Sequence, residues 1–588
     1  MKKLINKTEN IVREMCHGIV LAHPELELLP RHKIIKRRVL NAEKVSLISG
    51  GGSGHEPAHA GFVGTGMLDA AVCGDVFASP SQIQVYQAIR ATAGKKGTLL
   101  IIKNYSGDIM NFQSAAQLAQ EDGIEVTYVK VDDDVAVQDS LYTVGRRGVA
   151  GTVFVHKIAG AAAEQGKSLS EVKAIAEKVV GRVKSIGFAL TSCTVPAKGS
   201  PTFELAENEM EYGVGIHGEP GIKREGLLEA SELAGRMVQA VCGEFGFGGG
   251  NDRGQRVAIM VNGFGATPLM ELYLMNAAVA RELDKMGVAV TRTFVGNYMT
   301  SIDMAGASLS VLHLDDELET LLDAPCQTPG FKLGVAEKSV PYSDPYAEEP
   351  TEGDACYEIE SPASYAKVAD ALSLQNIIYI VDAISDCCIR NETAFCDLDS
   401  HAGDGDFGMS VAKGFRELKR QWKRIVSLPG LTIGSFLSEC SLVIMEHCGG
   451  ASGPIWGAAF RAAGKQAEGK AGLSVADTAA LLQAAVKGIQ QTGERSFGRG
   501  AQVGDKTLID ALVPCANAWS DAAKSKASFV EAFAAGAKAA VDGAKSTEAI
   551  TARMGRAGAV GERSLGYPDA GAHALGVIFT ELAGKLVF

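Results

Sequence analysis

An acidic, proline-rich stretch divides this chain into two regions of different composition. Residues 339–362 contain four prolines and seven acidic residues, with no lysine or arginine among them. A segment of this kind extends in water and does not join a packed core. The 588-residue length also exceeds the size at which a single core stops growing. We therefore predict a multidomain protein with a linker over 336–362, between a domain at 1–335 and a domain at 363–588.

The first region alternates short apolar, β-branched runs with glycine-rich turns and alanine-rich, helix-like segments. This alternation is typical of α/β domains, and its recurrence after residue 245 indicates two α/β lobes. The segments predicted as buried strands are 45–49, 98–103, 126–131, 151–155, 185–190, 256–261 and 288–295.

The second region has a helical pattern. Residues 475–494 and 528–550 carry apolar residues at helical spacing and few β-branched residues. We predict an all-α domain from 363 to 588.

Composition excludes several classes of protein. A net charge of −12 argues against a nucleic-acid binder, which needs a basic face. The longest apolar runs are too short to span a bilayer. The 12 cysteines are scattered and form no CxxC pair, which favours reduced thiols. The sequence thus predicts a cytoplasmic protein with no membrane or nucleic-acid partner.

Three aspartates lie close together in the sequence "LDSHAGDGDF", at positions 399, 404 and 406. Glycines between them let the backbone turn sharply, so the carboxylates can converge on one hard cation such as Mg²⁺. A solvated acidic loop or a set of helix caps is the alternative. The frame of an EF-hand is absent. We favour a magnesium site, of the kind that holds nucleotide phosphates.

Glycine-rich turns in the same domain are candidates for phosphate binding. They lie at 448–457, 504–512 and 555–572, the first at the expected entrance to a helix. No Walker A motif is present. Each turn alone is weak evidence, because such turns are common between helices. Three of them beside a magnesium candidate make a nucleotide site and ordinary turns between helices equal alternatives.

Three glycine-rich loops in the α/β region carry polar residues. "SGGGSGHEP" (49–57) follows a strand but is not a dinucleotide fingerprint, since His55 or Pro57 replaces the third glycine. "KNYSGDIMNF" (103–112) places Lys103 and Asp108 after another strand. In "EYGVGIHGEPG" (211–221), glycines flank His217 and indicate close approach of the backbone to another group. Ligand sites of α/β domains lie in such loops.

Together these motifs resemble the ATP-dependent dihydroxyacetone kinases, in which a ketose-binding domain is fused to a helical nucleotide-binding domain. The resemblance extends over nearly the whole chain. The matching blocks occur in the family's order: "GGGSGHEP", "KNYSGD", "GIHGEPG", "LDSHAGDGD", "GGASGP", "GDKTLIDAL" and "GERSLGYPDAGA".

The resemblance implies a kinase that holds dihydroxyacetone as a hemiaminal on His217. Asp108 would be the base for the terminal hydroxyl, and His55 an acid–base partner. The ketose pocket would be lined by Gly52, Ser53, Gly54, His55, Lys103 and Asp108. The cofactors implied are ATP and Mg²⁺, with the metal on Asp399, Asp404 and Asp406.

The helical domain would be a barrel that binds ATP. Its nucleotide-binding residues would be Asp399, Ser400, His401, Ala402, Gly450, Ala451, Ser452, Gly453, Thr507, Arg556, Ala557, Gly558 and Asp569. A homodimer is also implied. The alternatives are a kinase for erythrulose or glyceraldehyde and, in a different class, a ketose-sensing regulatory protein.

Overall fold

The computed structural model describes residues 2–138, 145–219, 221–247, 254–335, 337–345, 357–554 and 561–588. The chain divides into two compact units, Met1–Ala347 and Glu348–Phe588. Their boundary falls within the segment 336–362.

The first unit contains a six-stranded mixed sheet with the order β1-β2-β4-β3-β5-β6. The strands β3, β4, β5 and β6 run parallel, and β1 and β2 form an antiparallel edge. Their bounds are β1 Leu26–Leu29, β2 Ile34–Arg37, β3 Ser46–Ser53, β4 Ala70–Val76, β5 Thr98–Lys103 and β6 Val126–Val131. Every residue of β3 and β5 is buried, as expected for strands covered on both faces.

A second six-stranded sheet has the order β11-β10-β12-β7-β8-β9. Only β10 and β11 pair in parallel among its described strands. The bounds are β7 Val183–Ala189, β8 Glu209–Tyr212, β9 Lys223–Gly226, β10 Arg256–Gly263, β11 Ala289–Gly296 and β12 Gly306–Leu314. A short hairpin follows, β13 Cys326–Gln327 with β14 Lys332–Leu333. The two sheets confirm the predicted two-lobed α/β architecture.

Eight helices accompany these sheets within the described part of the unit. They are α1 Ile11–Ala22, α2 Gln82–Thr92, α3 Ser106–Glu121, α4 Thr152–Glu164, α5 Leu169–Arg182, α6 Ala230–Gly243, α7 Leu269–Lys285 and α8 Asp316–Asp323. The strand predicted at 151–155 is wrong, because these residues begin α4. The residues from Thr152 to Ala163 are all buried, so the helix has no polar face and its sequence lacks the helical alternation.

The second unit is a ring of helices. The helices are α9 Leu374–Arg390, α10 Glu392–Asp399, α11 Phe407–Arg420, α12 Trp422–Val426, α13 Ile433–His447, α14 Ser452–Gln466, α15 Val475–Phe497, α16 Ile509–Lys524, α17 Phe529–Ser546 and α18 Ala570–Lys585. Packing runs from α9 through α11, α13, α14, α15, α16 and α17 to α18, which packs on α9 again and closes the ring. Among its described residues, the second unit also contains one short antiparallel pair of two-residue strands, β15 Leu372–Ser373 and β16 Gly472–Leu473.

The starts of the ring helices fall into two groups. Four alternate helices, α9, α13, α15 and α17, begin with a Ser or Thr capping box. Of the other four, α11, α14 and α16 begin without a hydrogen bond from the N-cap side chain, although Cys396 accepts one N–H of α11 and Thr507 accepts one of α16. Helix starts without caps leave backbone N–H groups for another partner.

The described ends of the predicted linker contact the two units. Ser339 donates its backbone N–H to Thr291 on β11 at 3.0 Å. The backbone N–H groups of Glu360 and Ser361 donate to Asp382 of α9, at 2.9 and 2.7 Å. The described ends of the predicted linker are therefore each hydrogen-bonded to one of the two units.

No helix in the described ranges is both long and apolar enough to cross a membrane.

Candidate functional site

A polar cavity of about 440 Å³ lies in the first unit, where strands β3 and β5 end. The carboxyl ends of parallel strands are the usual ligand-binding edge of an α/β sheet. The cavity is lined by Gly52, Phe77, Ser79, Tyr105, Ser106, Gly107, Asp108 and His217. The structure thus brings three of the predicted residues, Gly52, Asp108 and His217, to one cavity.

The ring of His217 is held by three neighbouring rings. Tyr105 and Phe77 contact it edge-on, with centroids 4.6 and 5.2 Å away. Its Nε2 lies 3.2 Å from Nε2 of His55. Nδ1 of His55 lies 2.8 Å from the carbonyl of Thr300, which can only accept, so Nδ1 of His55 carries the proton. Nε2 of His55 is then an acceptor towards His217.

Burial keeps His55 neutral. Desolvation, followed by the charges of Lys103 and His217, lowers the pKa of His55 well below its usual range. A neutral imidazole with a free Nε2 can take a proton from His217 and return it.

Asp108 lies in the first turn of α3 and is 3% exposed. Its Oδ1 accepts a hydrogen bond from the hydroxyl of Ser79. Burial raises the pKa of Asp108, although Lys103, Ser79 and His217 oppose that shift. A carboxyl with a raised pKa at the edge of a cavity is suited to act as a general base.

Four of the predicted ketose-pocket residues lie behind the cavity wall. The hydroxyl of Ser53 donates to the carbonyl of Gly74 at 2.7 Å. The N–H of Gly54 donates to the carboxylate of Glu56 at 3.0 Å. His55 is fully buried against His217. Lys103 is also fully buried, and its Nζ has no hydrogen-bond partner among the described residues.

Both glycines beside His217 are explained by close contacts with protein groups. A Cβ on Gly215 would lie 1.9 Å from Oε1 of Glu219. Gly218 has a φ of +68°, and a Cβ there would lie 2.5 Å from Oγ1 of Thr202. The close approach inferred from the sequence is therefore made by neighbouring side chains.

A second site lies in the helical unit. One carboxylate oxygen from each of Asp399, Asp404 and Asp406 lies within 4.8 Å of the other two. The Asp399 carboxylate is fixed by the loop, since Oδ2 accepts the N–H of Gly405 at 3.0 Å. Three carboxylate oxygens at this spacing form a donor set that fits Mg²⁺.

These aspartates border a pocket of about 200 Å³. The starts of α11, α14, α16 and α18 all contribute to its wall, and three of these helices lack side-chain caps in the described structure. Free N–H groups and helix dipoles at helix starts favour anions. The predicted residues in the wall are Asp399, Asp404, Asp406, Gly450, Ala451, Ser452, Thr507 and Asp569.

The other nucleotide-site predictions that fall on described residues lie outside the pocket wall. The hydroxyl of Ser400 donates to the carbonyl of Asp397 at 2.6 Å. His401 stacks on Tyr567, with ring centroids 3.8 Å apart. Ala402 donates its N–H to the carbonyl of Asp399, and a Cβ on Gly453 would lie 2.7 Å from the carbonyl of Cys448. Arg556, Ala557 and Gly558 lie outside the described residues.

Lys506 was not predicted from the sequence, yet its side chain in the pocket wall joins several backbone segments. Its Nζ donates to the carbonyls of Thr547, Ile550 and Tyr567 at 2.7, 3.2 and 2.8 Å, and to that of Ser564. The lysine is 1% exposed. The only sequence signal was its place in "GDKT", which by itself indicates a turn.

Glu219 and Arg147 were also missed. Glu219 lies two residues after His217 and accepts its backbone N–H at 2.7 Å. Arg147 is 1% exposed and lies 3.6 Å from the Glu219 carboxylate. A buried acid in "GIHGEPG" could have been suspected from its place beside the histidine, but Arg147 is distant in sequence.

Comparison with known proteins matches both units to families. The chain matches the Dak1 domain over residues 17–330 and the DAK2 domain over residues 401–584.

Three individual proteins illustrate the similarity. The chain is 52% identical, over 54% of its length and 95% of the relative, to the dihydroxyacetone-binding subunit DhaK of a PTS-dependent dihydroxyacetone kinase from Listeria innocua. It is 35% identical over the full length of both chains to L-erythrulose 1-kinase from Mycolicibacterium smegmatis. The crystal structure of the dihydroxyacetone kinase from C. freundii in complex with AMP-PNP and Mg²⁺ has a TM-score of 0.59, 31% identity and 99% coverage of both chains.

The Dak1 match spans more than half of the chain, the DAK2 match follows it, and one kinase is similar from end to end. This chain therefore belongs to the dihydroxyacetone kinase family, with a Dak1 domain followed by a DAK2 domain.

Proposed function

We propose that this protein phosphorylates dihydroxyacetone to dihydroxyacetone phosphate with ATP and Mg²⁺. Membership of the family supports a kinase of small ketoses. The high identity of the first unit to a dihydroxyacetone-binding subunit supports dihydroxyacetone in particular. The observation that carries the proposal is the cavity in which His217 and Asp108 lie together.

The proposed chemistry uses the two residues for different tasks. Nε2 of His217 adds to the substrate carbonyl and gives a hemiaminal, which holds the ketose in one orientation. Asp108 accepts the proton of the terminal hydroxyl, which then becomes the nucleophile. Because glycerol has no electrophilic carbon, the adduct selects ketoses and aldoses over simple polyols.

Asp399, Asp404 and Asp406 are the residues proposed to hold Mg²⁺, and the uncapped helix starts beside them are proposed to bind the ATP phosphates. Bound there, Mg²⁺ supplies charge neutralisation and orientation to the phosphates. The linker between the two domains lies within 336–362 in this proposal. Cleavage there by a glutamate-specific protease should release two folded pieces that are each inactive alone.

A substrate panel tests the proposal. Initial rates with Mg²⁺ and ATP should be highest with dihydroxyacetone, lower with erythrulose and glyceraldehyde, and very low with glycerol. A higher kcat/KM for erythrulose would favour the second candidate, which the full-length similarity to an erythrulose kinase supports. Absence of ATP turnover with every sugar, combined with tight sugar binding, would favour a ketose-sensing regulator.

We also propose a homodimer. Helix α7 exposes a nonpolar face formed by Leu269, Met270, Tyr273 and Leu274, each more than half exposed. A Met270→Lys change should convert a dimer to a monomer in light scattering. A monomeric wild-type protein would overturn this part of the proposal.

A further inference from the structure

Glu219 lies against His217 on the side away from His55. Its Oε2 accepts the backbone N–H of His217 at 2.7 Å, and its Oε1 lies 3.9 Å from Nδ1 of the ring. Oε1 is buried and has no hydrogen-bond partner among the described residues. A buried carboxylate oxygen without a partner is costly unless a proton donor can reach it. Nδ1 of His217 would become such a donor if a small shift of either side chain shortened the 3.9 Å separation.

Arg147 holds this carboxylate in place. Its Nη1 lies 3.6 Å from Oε1 of Glu219. Its Nε donates to the carboxylate of Asp134 at 2.7 Å, and its Nη2 donates to the carbonyl of Gly213 at 2.8 Å. The array of Asp134, Arg147 and Glu219 contains two acids and one base. It therefore presents one net negative charge to the ring of His217.

The ionised state of Glu219 follows from its neighbours. Burial would raise its pKa, but the interaction with His217 and the charge of Arg147 outweigh burial and lower the pKa to about 2. Gly215 is required for the same arrangement, because any Cβ at that position would overlap the carboxylate. These contacts keep the ionised carboxylate of Glu219 next to the ring of His217.

We propose that Glu219, held by Arg147, is a positioning residue that keeps Nδ1 of His217 protonated and so directs Nε2 at the substrate carbonyl. This inference rests on the proposed adduct at His217.

The proton balance of the step is complete within the site. In the starting state, His217 carries protons on Nδ1 and Nε2, and Nε2 donates to His55. The Nε2 proton moves to Nε2 of His55, and the lone pair left on Nε2 of His217 bonds to the carbonyl carbon. The carbonyl π electrons move to oxygen, which takes the proton from His55. The ring keeps its Nδ1 proton and a positive charge, which Glu219 balances.

The test compares Glu219→Gln with Glu219→Asp in the full-length protein. Gln keeps an acceptor for the His217 N–H but removes the charge, whereas Asp keeps the charge. Dihydroxyacetone labelled with ¹³C at the carbonyl reports the adduct, because its signal moves from the carbonyl to the sp³ region. We expect Glu219→Gln to weaken adduct formation roughly 10- to 100-fold, as loss of a charged hydrogen-bond partner does. Glu219→Asp should recover part of that loss.

A second measurement does not depend on variant stability. In ¹⁵N-histidine-labelled wild type, with the His217 signals identified by their loss in His217→Ala, Nδ1 of His217 should be protonated at neutral pH with and without dihydroxyacetone. Glu225→Gln is the matched control, because it removes an acid on β9 that pairs with Lys223 and with Arg236 of α6, and it should leave the adduct unchanged.

The outcomes separate the two proposals. A wild-type adduct that forms equally well in Glu219→Gln, or an unprotonated Nδ1, would overturn the role of Glu219 and leave the His217 adduct standing. A wild-type protein without the sp³ signal would overturn both.

Discussion

The proposed ketose cavity, beside His217 and Asp108, and the proposed nucleotide pocket, beside the three converging aspartates, hold their polar groups in different ways. In the cavity, polar groups are buried and held by protein partners: His55 donates to Thr300, and Asp108 accepts from Ser79. In the pocket, three carboxylates converge within 4.8 Å beside helix starts that lack side-chain caps in the described structure. The polar groups of the first site are thus paired within the protein, whereas the second gathers carboxylates whose charges a cation would balance.

The charge imbalance of the nucleotide pocket extends to Asp569. Burial, together with the charges of Asp510 and Asp399, raises the pKa of Asp569 to about 7. Carboxylates that face one another repel unless a cation lies among them. Removal of one of the three converging aspartate charges should therefore reduce activity more than folding, and changes of volume around the cavity should affect both.

The largest effect should come from Asp404→Asn. This change removes one of the three carboxylates, and loss of a few kcal/mol of charge stabilisation slows phosphoryl transfer roughly 10³-fold or more. Dihydroxyacetone binding, measured by calorimetry, should be unchanged because it depends on the first unit. The steady-state rate at saturating Mg²⁺ and ATP is the measurement.

Asp397→Asn is the matched control. Asp397 is an exposed acid in the same sequence cluster, and it is not part of the converging group. Its rate should stay within twofold of wild type. Equal loss in both variants would mean that general acidity of the loop, rather than a metal site, governs the rate.

The second-largest effect should come from Lys506→Met, which tests whether the Lys506 side chain stabilises the pocket. Lys506→Met leaves four backbone carbonyls without their shared donor, and a charged hydrogen-bond donor of this kind is worth about 1.5–3 kcal/mol. The free energy of unfolding of the helical unit should fall by about 3 kcal/mol, and KM for ATP should rise. Urea unfolding followed by circular dichroism measures the first quantity.

Lys524→Met provides the comparison for Lys506→Met. Lys524 is exposed and pairs with Asp521 at 2.9 Å, a surface ion pair worth about 0–1 kcal/mol. If both lysine variants unfold at the same urea concentration, Lys506 does not brace the pocket.

A smaller effect, on the packing of the ketose cavity, should follow Gly215→Ala. The added Cβ would lie 1.9 Å from Oε1 of Glu219, and overpacking of this kind costs about 1–3 kcal/mol. Both the free energy of unfolding and the affinity for dihydroxyacetone should fall, because the displaced carboxylate accepts the backbone N–H of His217. Gly181→Ala in α5, where no heavy atom lies within 4 Å of the new Cβ, should keep full affinity.

The sequence predicted most of this architecture because the signals were local. Strands 98–103 and 126–131 were predicted with the observed bounds, since both are continuous apolar or alternating runs. The strands Ala70–Val76 and Gly306–Leu314 were missed, because small residues and glycine mask their pattern. The misassigned start of α4 shows the same limit, as a fully buried helix carries no polar face to reveal it.

Site residues were predictable where they belong to a compact motif. The three aspartates lie within eight consecutive positions, and the structure brings them together. The array around His217 draws on Asp134, Arg147 and Glu219, which lie 13 and 72 positions apart in the sequence and meet only through the fold. Their role depends on tertiary contacts that no local pattern records.

The smallest expected effect is a shift in the pH dependence of the reaction at the cavity. Burial raises the pKa of Asp108, whereas Lys103, the Ser79 hydroxyl and His217 oppose the shift. Asp108 must be ionised to accept a proton, so kcat/KM for dihydroxyacetone should fall as pH drops through a pKa above that of an ordinary aspartate. Ser79→Ala removes one group that favours the carboxylate, so the acidic limb should move to higher pH while the rate above that limb changes little.

Ser114→Ala, also on the first unit but away from the cavity wall, should leave the pH profile of kcat/KM unchanged. If Ser79→Ala moves the limb to lower pH or not at all, a group other than Asp108 is the base, and the buried cavity would not set the proton chemistry of the reaction.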